Sequence, residues 1–181
     1  MPSLRKKPRR ILLYGFGPYR EFHDNITARI VESLRPQPGL TKVVFPVSFH
    51  RTQFIEVIDR IKPAIILGLG QSSRQEIRVE SQALNRRRAR QTEKPRMISR
   101  TGPMRLKTTL NLKVGRAAGR SSNAGDYVCN FSMYVMLDHL RRNGLDIPYG
   151  FIHIPYDSDR TKAAELLGKI LRDCQRITKI R

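Results

Sequence analysis

Apolar positions in this chain alternate between short continuous runs and stripes with a 3.6-residue period. Arg10 to Gly15 reads as a short buried strand that ends in the turn Gly15-Phe16-Gly17-Pro18. Ile26, Ile30, Val31 and Leu34 then keep a helical period, with Asp24 placed to cap the helix and Pro36 and Pro38 to stop it. Val43 to Val47 is a second strand, whose Pro46 suits a sheet edge. Arg51 to Ile61 is a helix with Phe54, Ile55, Ile58 and Ile61 on one side. Residues 64–70 are apolar throughout, as a buried parallel strand is, and Ile77 to Glu80 alternate as a fourth strand. Helical pattern returns at Tyr127 to Arg142, where Cys129, Met133, Met136, Leu137 and Leu140 share a face and Gly144 ends the run. Gly150 to Pro155 is a last strand, and about Ser158 to Ile177 a last helix built on Ala163, Leu167, Ile170, Cys174 and Ile177.

Alternating strands and helices predict an α/β domain: a three-layer α/β/α open sandwich around a mostly parallel, mixed sheet. In such folds ligands collect at the carboxyl ends of the strands. Four features fall on that edge: the turn from Gly15 to Tyr19, Gly70-Gln71, the start of the Cys129 helix, and His153.

The length of 181 residues fits a single domain over 1–181. Basic residues precede only a short apolar stretch near the N-terminus, too short for a signal-peptide core, so a cytoplasmic location is expected. Two cysteines, Cys129 and Cys174, are too few for a disulfide framework. The net charge of +20 changes the picture more. Residues 86–120 hold twelve Lys/Arg against the single acid Glu93, so they carry +11 of the excess, beside a smaller basic tail over 1–9. This basic stretch shows no clear period beyond a short element around Leu106 to Leu112 and reads as a loop region. It contains no Phe, Tyr or Trp on which bases could stack, so nucleic acid is expected to bind only weakly and non-specifically.

Few side chains can do chemistry. Cys129 lies in the first turn of its helix, where unpaired N–H groups and the helix dipole favour a thiolate. Cys174 lies mid-helix on an apolar stripe and reads as core. A nucleophilic cysteine needs a base within hydrogen-bond reach and a third group to hold the imidazole. His153 is the candidate base, with His23 its rival, and Glu80 and Glu76 are both open for the third role. Gly15-Phe16-Gly17-Pro18 is a poor dinucleotide site, because a third glycine is missing and Pro18 has no N–H for a phosphate.

Gly15-Phe16-Gly17-Pro18-Tyr19 with Asn25-Ile26-Thr27, then Ile77 to Asn85, Asn123 to Asn130, and Gly150 to Tyr156, resemble in order four segments of the pyroglutamyl peptidase family of cysteine peptidases. The resemblance implies the α/β/α fold and a triad of Cys129, His153 and Glu80. It also implies substrate contacts from Phe16, Tyr19 and Tyr127 around a pyroglutamyl ring, from Arg90 beside the cysteine, and from Gln71. Truncating Phe16 is then expected to weaken catalysis without unfolding the chain. The implied reaction is removal of an N-terminal pyroglutamyl residue from small peptides, with no metal or cofactor. Neither a membrane nor a specific nucleic acid is expected as partner, and a homo-oligomer stays open. This chain departs from the family pattern at Gly17, Tyr19 and Ile26, and between Arg90 and Cys129, where the charge excess sits. Two alternatives therefore stand beside the peptidase: a peptidase-like fold retasked for polyanion binding, and a cysteine amidase with another substrate.

Overall fold

A computed structural model describes residues 10–19 and 23–180; the basic tail over 1–9 lies outside them. Eight strands and four helices follow in the order β1 (Ile11–Phe16), α1 (Ile26–Ser33), β2 (Leu40–Phe45), α2 (Arg51–Ile61), β3 (Ile65–Ser72), β4 (Arg78–Glu80), β5 (Gln82–Leu84), β6 (Arg105–Lys107), β7 (Gly119–Ser121), α3 (Val128–Arg142), β8 (Tyr149–Pro155) and α4 (Arg160–Ile180). Six strands form one sheet in the order β2-β1-β3-β8-β4-β7. The first four are parallel, and β4 runs antiparallel to β8. The α/β expectation and the edge position of β2 hold, with Pro46 following the last residue of that strand.

Continuous apolar runs make sense in a sheet covered on both faces, because successive side chains point to opposite sides. Leu12, Tyr14 and Phe16 of β1 join Tyr149 and Phe151 of β8 in one core with Phe54 and Ile58 of α2 and Phe131 and Met136 of α3. Ile11 and Leu13 join Ile152 and Ile154 in the opposite core, with Ile26 and Ile30 of α1 and Leu167 and Ile170 of α4. On α2, Val57 is buried and Ile55 only partly so, a one-position shift of the expected stripe.

β3 shows the packing constraint most directly. Leu67 and Leu69 fill the α1/α4 side, which leaves Gly68 and Gly70 on the α2/α3 side. A Cβ at Gly68 would sit 2.5 Å from Phe151 Cδ2 and Tyr14 Cζ, and one at Gly70 would sit 2.7 Å from Cys129 Sγ and 2.8 Å from His153 Cδ2. No side chain fits at either position.

Two expectations change. Asn25, not Asp24, caps α1: its Oδ1 accepts from Thr27 N at 3.0 Å, while Asp24 pairs with Arg29 at 2.8 Å. Asn25 wins because it is tied from both ends, its Nδ2 also donating to Gly17 O at 3.1 Å.

The basic stretch is also more ordered than its composition suggests. β5 and β6 pair as an antiparallel ribbon, β7 adds a strand to the main sheet, and Leu110, Leu112 and Val114 are buried against the α4 core. Those three leucine and valine positions alternate with polar residues, a period of two that the dense charge hides. Arg87 and Arg96 exchange backbone hydrogen bonds at 2.8 Å, closing a small hairpin.

Uncharged side chains anchor this segment. Asn85 is buried, accepts from Ile98 N and Ser99 N at 2.9 Å each, and donates to Ser99 O and Gly102 O. Asn130 of α3 donates to Leu84 O and Arg86 O and accepts from Leu84 N, all at 2.8 Å. Tyr134 donates to Pro103 O at 2.7 Å. Replacing Asn85 by Ala leaves several inward-facing backbone groups unpaired, a loss of about 2–3 kcal/mol. Urea unfolding should show that loss, and amide exchange should rise first over residues 96–103.

Candidate active site

The turn after β1 is held by the helix that succeeds it. Thr27 Oγ1 accepts from Phe16 N at 3.0 Å, and a Cβ on Gly15 would meet Thr27 O at 3.0 Å. Asn25-Ile26-Thr27 is thus the lock on Gly15 to Pro18. Gln71, at the end of β3, accepts from Ile26 N at 3.0 Å, so its oxygen braces this turn as well as facing the pocket.

Period two along β8 turns His153 to the same side as Phe151, towards α3. Period two along β4 puts Val79 in the α4 core and turns Glu80 to the α3 side. The antiparallel register sets Glu80 opposite Phe151 and Arg78 opposite His153, and the two side chains meet: His153 Nδ1 lies 2.8 Å from Glu80 Oε1. Glu80 is 2% exposed, whereas the side chain of Glu76 is 69% exposed and bonded to Arg78. The choice between the two carboxylates is therefore geometric. Glu80 Oε2 is buried without a hydrogen-bond partner, so His153 is the one side chain that offsets its charge among the described residues.

Cys129 occupies the second position of α3, beyond the N-cap Tyr127, which makes no side-chain cap. The N–H groups of that first turn have no carbonyl one turn back to bond, so they favour negative charge in front of them. Burial opposes a charge on His153, but the hydrogen bond it donates to Cys129, then that to Glu80, and their charges outweigh it and raise its pKa to about 9. His139 is occupied by Asp59 at 2.8 Å, and His50 is the N-cap of α2. The rival His23 is exposed and is not among the pocket residues.

A cavity of about 370 Å³ opens over Cys129. Phe16, Tyr19, Gln71, Arg90 and Tyr127 all line it, so the expected contact residues come together. Tyr19 and Tyr127 rings lie 5.1 Å apart, and Phe49, which the sequence did not single out, meets Tyr127 edge-on at 5.3 Å. Phe16 needs a correction. It is 1% exposed and packs edge-to-face on Tyr14 and Phe54, so truncating it hollows the core and is no clean test of the pocket. Val47, Arg88 and Asp126 also line the cavity without having been foreseen. Only the basic run around Arg88 hinted at one of them. Among the described residues there is no group of three or more His, Cys, Asp or Glu that could hold a metal, and no helix long and apolar enough to cross a membrane.

A thiol, an imidazole and a buried carboxylate in a row, at the carboxyl edge of an α/β/α sheet, are the parts of a cysteine-dependent hydrolase. The pyroglutamyl peptidase family model matches residues 9–168, and the chain belongs to that family. It is 31% identical over 192 residues to a pyrrolidone-carboxylate peptidase of Oceanobacillus iheyensis, covering 95% of this chain and 96% of that one. It is 30% identical to pyrrolidone-carboxylate peptidase 1 of Caldanaerobacter subterraneus subsp. tengcongensis, over 81% and 82% of the two chains. Among solved structures, pyrrolidone carboxyl peptidase from Thermococcus litoralis shares the fold with a TM-score of 0.83 at 23% identity, over 96% of each chain. Pyroglutamyl peptidase I from Bacillus amyloliquefaciens superposes with a TM-score of 0.78 at 25% identity, over 90% of this chain and 92% of its own.

Two outcomes are expected from the thiols and the histidine. Cys174 is 1% exposed and burial pushes its pKa up to about 11, so iodoacetamide should modify Cys129 first, as peptide mass mapping would read. His153 in the fold binds its proton more tightly than the ordinary 6.5, so this proton stabilises the native state. That contribution is complete below about pH 6.5 and is lost as pH rises through about 9. Urea midpoints measured across this range should therefore fall, and Cys129→Ala, which removes a raising partner, should flatten the decline.

Proposed function

We propose that the chain acts, as one domain over 1–181, as a cysteine exopeptidase that releases N-terminal pyroglutamate from peptides. The observation that carries the reading is the contiguity of the His153–Glu80 pair, Cys129 and an aromatic pocket that, among the described residues, holds no unpaired acid. Among the described residues the pocket's single carboxylate is Asp126, bound to Arg88 at 2.8 Å. A free N-terminal ammonium entering here would find no free counter-charge among the described residues and would meet Arg90 instead. A lactam ring is flat and uncharged, and stacks on Tyr19 and Tyr127 without needing one.

In this mechanism Glu80 holds His153 through Nδ1, which leaves Nε2 to face the thiol. Below about pH 9 His153 already holds the proton shared with Cys129 when Sγ attacks the pyroglutamyl carbonyl, and the oxyanion is held by N–H groups at the start of α3, that of Cys129 included. The C–N bond breaks, and the leaving amine carries away the proton from His153. Water then attacks the thioester, giving one proton to His153. The C–S bond breaks, and that proton returns to Sγ as pyroglutamate leaves. Arg90 and Gln71 are proposed to orient the substrate, and no cofactor takes part.

The test is release of a fluorophore from a pyroglutamyl amide by pure protein, with prolyl and glutaminyl amides as controls. Activity should vanish in Cys129→Ala. Glu80→Gln should keep the fold and lower kcat by about 10²–10⁴-fold with little change in KM. Equal cleavage of the prolyl or glutaminyl amides, or full activity in Cys129→Ala, would overturn the assignment.

A further inference from the structure

The charged groups of the pocket are unequally matched. Arg88 and Asp126 are held to each other twice, by the ion pair at 2.8 Å and by Arg88 N donating to Asp126 O at 2.8 Å. Arg90 lines the same cavity, is exposed, and has no ion pair among the described residues. Arg87 lies just outside, its guanidinium 5.1 Å from the centre of the Phe49 ring that supports Tyr127. The neutral lactam uses none of this charge. All of the positive charge sits on the segment 86–90, apart in the chain from the aromatic lining, and Asn130 holds that segment at Arg86 O.

A positive wall that the first residue of the substrate does not need is left to act on the second. We infer that this wall selects peptides in which the residue after the pyroglutamyl group is acidic. The inference rests on the exopeptidase reading and deepens it. Arg90 supplies the attraction, and Asp126 moderates it by occupying Arg88. Exposed pairs are individually weak and screened by salt, but the same field draws in a glutamate and repels a lysine, so the contrast between the two exceeds either effect alone.

The experiment compares kcat/KM for pyroglutamate release from three amidated peptides of equal length, with Glu, Ala or Lys in second place. At low ionic strength the order should be Glu, then Ala, then Lys, with Glu over Lys by about three- to tenfold. The ratio should shrink in about 0.5 M NaCl. Arg90→Gln should bring it towards one, and Asp126→Asn, which frees Arg88, should widen it. General damage to the site would lower all three rates together and could not move the ratio in both directions. Equal rates for the three peptides, a ratio indifferent to salt, or a narrowed ratio in Asp126→Asn would overturn the specificity while leaving the exopeptidase standing. No release from any of the peptides would overturn both.

Discussion

Everything at this site depends on two side chains that are missing. β3 is the strand on which β1 and β8 both pair, and its face towards α3 carries hydrogen atoms at Gly68 and Gly70 where other strands carry rings. Gly68 admits Phe151 and Tyr14, which brings the start of α3 down onto the sheet. Gly70 then leaves the gap in which Cys129 Sγ and His153 converge. Neither glycine has a positive φ, so conformational freedom is not what they supply; they supply volume. Even an added methyl would overlap the buried side chains of Tyr14 and Phe151, or those of Cys129 and His153, and close-packed interiors relax little.

Around that gap the fold sorts its polar groups by how much water each retains. Glu80 has almost none and depends on His153. Asp138 is fully buried on α3, and although burial opposes its charge, hydrogen bonds from Arg141 and Arg142 keep its carboxyl below the ordinary range. Arg142 in turn donates to Ser99 Oγ and Thr101 Oγ1, so the far end of the same helix grips the basic segment. Helix α3 therefore presents the thiol at its first turn and fastens the pocket wall along its length.

Much of this was legible beforehand, for physical reasons. Strands in a doubly covered sheet must be apolar without interruption, and β1, β3 and β8 are. Helices with one wet face must show a 3.6-residue stripe, and α2 does so to the residue at both ends. His153 and Cys129 stood out by their places at a strand end and a helix start, whereas pattern alone left Glu80 and Glu76 open; the family resemblance pointed to Glu80, and the register of β4 against β8 gives the physical reason. β5 and β7 were hidden, and β6 was met only by the short element expected around Leu106 to Leu112, because so few residues set no period and because Leu110, Leu112 and Val114 lie among lysines and arginines. Phe49 and Asp126 were invisible, since their roles come from neighbours distant in the chain.

The anchoring of the basic segment bears on how this protein can change. Asn85, Asn130 and Tyr134 reach its backbone, through carbonyls and amides that every residue type possesses. Arg88 adds an ion pair to Asp126 and Arg86 a bond to Asn123, whereas the Arg90 side chain makes no ion pair among the described residues. Arg90 can therefore exchange its charge by a single substitution while the thiol, the imidazole and the carboxylate stay where they are. Charge at that one position is separable from the catalytic groups behind it, so it can drift while they are kept.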